Sequence, residues 1–302
     1  MIICVGEILA DMMGREENGK TVYERYAGGA PFNVACGLKK LGTRCGFCGS
    51  VGDDLIGHFL EDTARSQAFD YLNIKKDKTR NTTLAFVEHT AGGERSFCFY
   101  RKRTADHALP VEAVDEIARL ADVIHIGSLP LSEAEGRAFA DKLIEQVHRY
   151  GKKISFDVNY RSDIFENAQA AIEIYKKYVA EADIVKFSED ELPMFARGAT
   201  QREQLESIAR GGKTVLVTLG GRGSMACAEG KVYYRPSIKV KAVDTTGAGD
   251  AFFAGVLSAL GEGEKNWERI LLRGNVCGAL TAAAIGAIGN LEKCAVLRTM
   301  GE

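Results

Sequence analysis

The protein has 302 residues, of which 46% are hydrophobic and 26% charged, and its formal net charge is −2. This composition is typical of a globular protein in water, and the nearly balanced charge gives no basis for a nucleic-acid partner. The first residues form the apolar run Ile2–Val5 without a basic leader, so we expect a cytoplasmic protein. An apolar stretch at residues 276–289 is shorter than the roughly 20 residues of a membrane helix, and we expect no membrane partner.

Short β-rich runs alternate with helical periods along the chain. In chain order they cover residues 2–5, 32–41, 44–50, 54–65, 123–126, 132–150, 153–157 and 215–219. This alternation is typical of a parallel sheet covered by helices on both faces. Ser132 followed by Glu135 predicts a capping box at the start of the helix at 132–150, and Gly151 predicts its end.

Two regions, residues 10–27 and 80–104, interrupt this alternation. The second contains two β-rich runs on either side of Ala91-Gly92-Gly93-Glu94, a pattern that predicts a hairpin. The sequence has no Pro- or Ser-rich linker, so we expect one domain over residues 1–302 with both regions inserted as a small antiparallel lid. Exposed apolar lid strands favour a homodimer in which two lids pair.

Some residues with possible chemistry are better explained as core residues. Cys45 and Cys48 have the spacing of half a zinc site or a redox pair, but no second pair accompanies them. We therefore expect both to fill a strand. His125 lies between Ile124 and Ile126, and we expect a packed core histidine rather than a catalytic base.

The most informative segment is Asp-Thr-Thr-Gly-Ala-Gly-Asp at residues 244–250, which leads directly into an apolar helix. Unpaired backbone N–H groups at a helix start, reached through small residues, are suited to binding a phosphate. Asp250 at that start could take a proton from a hydroxyl group that attacks the bound phosphate. The alternative is that Asp250 only caps a buried helix.

A second informative segment is Gly28-Gly29-Ala30-Pro31-Phe32-Asn33. The glycine pair, a proline near the first helical position and an inward-facing Asn33 would bring backbone and one amide close to a small polar ligand. Taken alone, this segment is only a well-formed helix start.

Together the two segments resemble both signatures of the ribokinase-like, or PfkB, carbohydrate kinases: an early Gly-Gly-x-x-x-Asn and a late Asp-Thr-x-Gly-Ala-Gly-Asp. Further segments resemble family blocks in the expected order, at residues 51–57, 157–161, 186–191, 217–220 and 275–289. The resemblance implies a three-layer α/β/α fold with a mainly parallel central sheet, and transfer of phosphate from ATP with Mg²⁺ to an alcohol.

The resemblance also assigns roles to individual residues. Asp250 matches the general base, and Gly247, Ala248 and Gly249 match the anion hole. The sugar-binding positions are Asp11, Gly28, Gly29, Asn33, Arg101 and Arg161. The ATP-binding positions are Ser188, Glu191, Thr218, Gly220, Gly223 and Asn275.

Two cation sites are implied as well. Glu191 matches the residue that holds Mg²⁺ through water, with a solvated helix acid as the alternative. Asp244 and Thr246 resemble half of a monovalent-cation site, for K⁺. Gly289-Asn290 stands where Pro-Ser is common in the family, and this departure falls in a loop that contributes to the same site.

The lid segments at 80–87 and 99–106 look most like those of bacterial fructokinases, and we expect fructose to be converted to fructose 6-phosphate. The alternative substrate is 2-keto-3-deoxygluconate, whose carboxylate Arg101 or Arg161 could bind bidentately. A hypothesis of a different class is a non-catalytic regulator that binds sugar or nucleotide on the same fold.

Overall fold

A computed structural model describes residues 1–89, 95–161, 164–165, 167–287 and 291–301. Its strands are β1 Ile2–Val5, β2 Leu9–Glu17, β3 Lys20–Gly28, β4 Cys45–Gly52, β5 Tyr71–Asp77, β6 Leu84–His89, β7 Arg95–Tyr100, β8 Val123–Ile126, β9 Lys153–Asp157, β10 Ile184–Ser188, β11 Thr214–Thr218, β12 Ser224–Ala228 and β13 Lys231–Arg235. Its helices are α1 Ala30–Lys40, α2 Leu55–Ser66, α3 Val114–Leu120, α4 Ala134–Arg149, α5 Ala168–Glu181, α6 Leu192–Phe195, α7 Gln201–Ile208, α8 Ala248–Gly261, α9 Trp267–Ala282 and α10 Lys293–Met300.

The central sheet has the strand order β13-β12-β11-β10-β9-β8-β1-β4-β5. Pairing is parallel from β11 across to β5, and only β12 and β13 run antiparallel to their neighbours. The mainly parallel sheet expected from the alternating pattern is therefore confirmed.

Helices cover both faces of this sheet, which gives the three-layer α/β/α architecture. Along β1, Ile2 and Cys4 belong to the core beneath α1, α8 and α9, whereas Ile3 and Val5 belong to the core beneath α3, α4 and α5. Because both faces are buried, β1 is a continuous apolar run and does not alternate with polar residues.

A second, smaller sheet has the order β3-β2-β6-β7 and contains the predicted lid segments. Its two hairpins, β2–β3 and β6–β7, are antiparallel, and they meet through a parallel pair between β2 and β6. Residues 91–94, in the predicted hairpin turn, lie outside the described residues.

The capping box predicted at Ser132 is wrong. Ser132 ends a 3₁₀ turn, and α4 begins after Glu133, which makes no side-chain cap. The Ser132 hydroxyl is used elsewhere, since it donates to the Leu129 carbonyl oxygen at 3.0 Å and accepts from Arg101 Nη1 at 2.6 Å. A long-range arginine contact thus outcompetes the local cap.

Other sequence-based expectations about core residues are confirmed. Cys45 and Cys48 are buried in β4. His125 is also fully buried, with Nδ1 3.0 Å from Ser155 Oγ and its ring edge-on to Phe253. Burial lowers the pKa of His125 to about 3, so this ring is neutral. Among the described helices, none has the length and apolar character needed to cross a membrane.

Candidate active site

A cavity of about 720 Å³ lies where the parallel strands of the central sheet end. Glu7 after β1, Asp157 at the end of β9 and Thr218 at the end of β11 line one side, while Asp11 and Phe99 reach it from the small sheet. Ligands of open α/β folds bind at this edge of the sheet. The small sheet therefore forms one wall of the cavity.

The N-terminus of α8 forms another wall. Its N-cap is Gly247, which has the left-handed φ of 72°, and a Cβ on this residue would lie 2.5 Å from the Cβ of Ala287. Gly247 and Gly249 line the cavity, but Ala248 does not, and its N–H donates to the Thr245 carbonyl oxygen at 3.2 Å. The predicted glycine turn is present, and of its three residues the two glycines face the cavity.

A hydrogen bond joins the two signature segments. Asn33, in the first turn of α1, donates from Nδ2 to Asp250 Oδ2, in the first turn of α8, at 2.8 Å. Gly29 makes this approach possible, because its φ of 109° suits glycine and a Cβ there would lie 2.5 Å from the Glu7 carbonyl oxygen. The bond fixes the Asp250 carboxylate at the cavity wall.

A second carboxylate, Asp11 on β2, faces Asp250 in the cavity. Gly28 makes room for it, since a Cβ on Gly28 would lie 2.1 Å from Asp11 Oδ2. Gly28 does not itself line the cavity, and it lies against Asp11, which does. Burial and the charge of Asp250 raise the pKa of Asp11 to about 7, against the opposing charge of Arg161.

Burial also raises the pKa of Asp250 above its ordinary value. The hydrogen bond from Asn33 and the charges of Lys186 and Arg161 oppose this shift. A carboxylate with a raised pKa and a fixed orientation is a stronger base than an ordinary aspartate, and this suits proton abstraction from a hydroxyl.

A buried ion pair that sequence reasoning did not single out lies beside the turn. Lys186 on β10 donates from Nζ to both carboxylate oxygens of Asp157, at 2.9 and 2.7 Å. Both residues line the cavity although Lys186 is 5% exposed and Asp157 3%. A lysine inside the apolar strand Ile184–Ser188 is the signal that could have revealed it, because buried charges are almost always paired.

Glu7 is another buried acid at the cavity. It is fully buried, its Oε1 accepts from the Ala30 N–H at 3.2 Å, and its Oε2 has no partner among the described residues. Burial raises the pKa of Glu7 to about 8, so the side chain is mostly protonated at neutral pH.

Arg101, expected at the sugar site, lies away from the cavity in this structure. Arg101 does not line the cavity, and its side chain is buried in an ion pair with Asp106, Nε to Oδ2 at 2.7 Å. Its Nη2 donates to the Leu129 carbonyl oxygen at 3.0 Å. Arg161, by contrast, does line the cavity.

The predicted nucleotide residues divide into two groups. Ser188, Glu191 and Thr218 line the cavity, whereas Gly220, Gly223 and Asn275 do not.

Two residues of the second group contact the backbone of residues 235–236. Asn275 donates to the carbonyl oxygens of Arg235 and Pro236 at 3.0 and 3.2 Å. Gly223 packs so closely that a Cβ would lie 2.1 Å from the same Arg235 oxygen. Both shape the chain that follows β13, a role that sequence spacing does not distinguish from nucleotide contact.

Glu191 fits a water-mediated Mg²⁺ contact better than a direct one. Its Oε1 accepts from the Tyr160 N–H at 2.6 Å and its Oε2 from the Ser188 N–H at 2.7 Å. The described residues contain no cluster of three or more acidic, His or Cys side chains for a metal. A magnesium ion here would keep its water ligands, as this ion commonly does.

Asp244 ties together the two chain segments expected at the monovalent-cation site. It is 4% exposed, and its carboxylate accepts from the N–H groups of Thr246 at 2.8 Å and Gly286 at 3.0 Å. These two hydrogen bonds hold the segments around residues 244–246 and 286 together. Gly289 and Asn290 lie outside the described residues.

The three-layer fold, the cavity at the strand ends and the glycine turn with its fixed carboxylate together define a small-molecule kinase.

A family model described as pfkB family carbohydrate kinase matches residues 1–294, so the chain belongs to that family. Fructokinases of Escherichia coli and Klebsiella pneumoniae are 33% and 34% identical over 293 and 294 residues, and each match covers 94% of both chains.

Solved structures of fructokinases also match this chain. A double mutant of the fructokinase from Vibrio cholerae O395, with fructose, ADP and potassium ion bound, matches with a TM-score of 0.89 at 30% identity and covers 98% of this chain and 97% of that one. The fructokinase from Xylella fastidiosa with bound ATP matches with a TM-score of 0.87 at 27% identity, covering 100% and 99%.

Proposed function

We propose that the protein transfers the γ-phosphate of ATP to the 6-hydroxyl group of fructose. The observation that carries the proposal is the hydrogen bond from Asn33 to Asp250, because it joins the segment expected to bind sugar to the turn expected to bind phosphate. Acceptor hydroxyl, base and phosphate donors would then share one end of the cavity.

The reaction needs few groups. Asp250 takes the proton of the attacking hydroxyl, the new bond forms from that oxygen to the γ-phosphorus, and the bond to the leaving ADP oxygen breaks. Backbone N–H groups at the start of α8, such as those of Gly249 and Asp250, would stabilise the developing negative charge. Phosphoryl transfer relies on such positioning and charge stabilisation more than on covalent chemistry by the protein.

The nucleotide would lie along Ser188, Glu191 and Thr218, which line the cavity beyond the turn. Mg²⁺, held by Glu191 through water, would neutralise phosphate charge, and K⁺ would bind near Asp244 and Thr246. Closure of the small sheet would keep water from the phosphate, and pairing of two such sheets would form a homodimer.

Fructose is favoured over 2-keto-3-deoxygluconate by the position of Arg101. This guanidinium is paired with Asp106 and lies off the cavity, so of the two arginines that could bind a sugar carboxylate only Arg161 lines the cavity. The sugar end instead has Asp11 and Asn33, which suit neutral hydroxyl groups. Similarity to fructokinases at 33–34% identity supports the same choice.

The test is a comparison of initial rates of ADP formation with MgATP and fructose, 2-keto-3-deoxygluconate or other sugars. The proposal predicts the highest kcat/KM with fructose and little change as salt rises. A higher kcat/KM with the sugar acid, falling with salt as expected for an exposed arginine contact, would contradict the choice of fructose. ATP binding without ADP formation on any sugar would instead favour the non-catalytic regulator.

A further inference from the structure

Lys186 has a contact pattern that suits a catalytic cation better than a structural one. An ammonium group has three N–H donors, and two of those of Lys186 bond to the Asp157 carboxylate. The third has no protein acceptor among the described residues, although the group is 5% exposed and lies at the cavity. One donor is therefore available to a ligand.

Its position is next to the phosphate-binding turn. A Cβ built on Gly249 would lie 3.4 Å from Nζ and 3.7 Å from Cε of Lys186, so the ammonium sits beside the backbone of the turn's second glycine. An anion bound by the turn would be within reach of both the backbone N–H groups and this lysine.

The charges of the cavity create a need for such a cation. Among the described residues that line it, five are acidic and two are basic. The acidic ones are Glu7, Asp11, Asp157, Glu191 and Asp250, and the basic ones are Arg161 and Lys186. Glu7 is mostly protonated, but the other four acids still outnumber the two basic residues around an entering nucleotide triphosphate, and buried cations offset this excess.

Lys186 keeps its charge in this setting. Burial alone would lower the pKa of Lys186, but Asp157, Glu191 and Asp250 outweigh that effect and leave the pKa raised. Asp157 also fixes the direction of the ammonium through two bonds, which removes the mobility of an ordinary lysine.

We propose that Lys186 is a catalytic residue that hydrogen-bonds an oxygen of the transferring phosphoryl group, and that Asp157 is the positioning residue that holds it. This inference rests on the kinase activity proposed above. Lys186 keeps its proton throughout: the hydroxyl proton goes to Asp250, and Lys186 supplies one hydrogen bond and one positive charge to the phosphoryl oxygens. The alternative is that Lys186 only neutralises the buried Asp157.

The experiment compares Lys186→Gln with the double variant Asp157→Asn/Lys186→Gln, which removes both charges and so leaves no unpaired buried ion. Lys177→Gln is the matched control, because Lys177 forms a surface pair with Asp141. Each protein is assayed for kcat and KM with the sugar that the wild type prefers. Melting temperature and the affinities for MgADP with and without aluminium fluoride, a mimic of the transferring phosphoryl group, are also measured.

If the proposal is right, the double variant melts near the wild-type temperature and binds MgADP normally. Its kcat nevertheless falls about 100-fold, as for the loss of one preorganised donor, and the affinity gained from aluminium fluoride falls by a similar factor. Recovery of kcat to within threefold of the wild type in the double variant would overturn the proposal, because neutralising Asp157 would then be the whole role of Lys186.

The result is separable from the choice of fructose. A wild type that prefers another sugar overturns that choice alone, since the variants are compared on the preferred sugar. The aluminium fluoride measurement does not require turnover, so it tests Lys186 even if the wild type phosphorylates no sugar in the panel.

Discussion

Replacing Asp250 by Asn removes the proposed base with little change in shape. The amide oxygen of the new side chain can accept the hydrogen bond that Asn33 donates to Asp250 Oδ2. Loss of the negative charge also relieves its repulsion of Asp11, whose pKa is raised in part by Asp250. We therefore expect Asp250→Asn to melt at or slightly above the wild-type temperature.

The catalytic effect should be large. General-base catalysis contributes on the order of 10²- to 10⁴-fold, which corresponds to about 3–5 kcal/mol of the activation barrier. We expect kcat to fall by that factor while the Kd for sugar, measured by calorimetry, changes by less than about threefold.

A matched control is Asp62→Asn, an exposed position on α2, which should keep wild-type kcat. The assay is ADP release at saturating ATP and sugar. If Asp250→Asn kept more than about a tenth of the wild-type kcat, Asp250 would not be the base.

Three further predictions concern stability and the turn. The stability of Glu7→Gln relative to the wild type should increase as pH rises from about 5 to 8, by on the order of 5 kcal/mol in ligand-free unfolding experiments. The reason is that the folded wild type keeps the Glu7 proton up to about pH 8, whereas the unfolded chain releases it near the ordinary pKa of 4.5. Arg101→Met should destabilise the protein by about 3–5 kcal/mol, measured by denaturant unfolding, because it leaves Asp106 buried without its cation. Gly249→Ala should lower kcat with little loss of melting temperature, whereas Gly247→Ala should lower the melting temperature as well, because its φ is 72°.

Each of these has an outcome that would contradict it. A pH-independent difference between Glu7→Gln and the wild type would mean that Glu7 ionises normally in the folded state. For Arg101 the neighbouring exposed Lys102→Ala is the control, and a raised sugar KM with unchanged stability in Arg101→Met would return Arg101 to the sugar site. Equal loss of melting temperature in the two glycine variants would show that the turn tolerates a side chain equally at both positions.

Much of the fold follows from local sequence pattern. The strands β1, β8 and β9 and the glycine turn before α8 lie where expected, because buried parallel strands and left-handed helix caps restrict residue type strongly. The glycine pair and Pro31 also indicate the start of α1, which contains the buried Asn33.

Long-range contacts explain the side-chain positions that the local sequence pattern does not predict. Ser132 matches the pattern of a helix cap, but its hydroxyl accepts a hydrogen bond from Arg101, which is distant in the chain. Arg101 in turn matches the pattern of a sugar ligand, but its guanidinium is paired with Asp106. Lys186 and Asp157 are separate motifs in the sequence, and only the pairing of β9 with β10 brings them together. Which side chain faces a cavity depends on such pairings.

The most direct test of the proposed function is identification of the product. The protein is incubated with MgATP and an equimolar mixture of fructose and 2-keto-3-deoxygluconate, and the phosphate esters are identified by ³¹P and ¹H NMR. We expect fructose 6-phosphate to form first, together with one ADP per ester and at a rate that Asp250→Asn reduces by at least 100-fold. Phosphorylation of the sugar acid first, or of fructose at another hydroxyl, would contradict the proposed reaction.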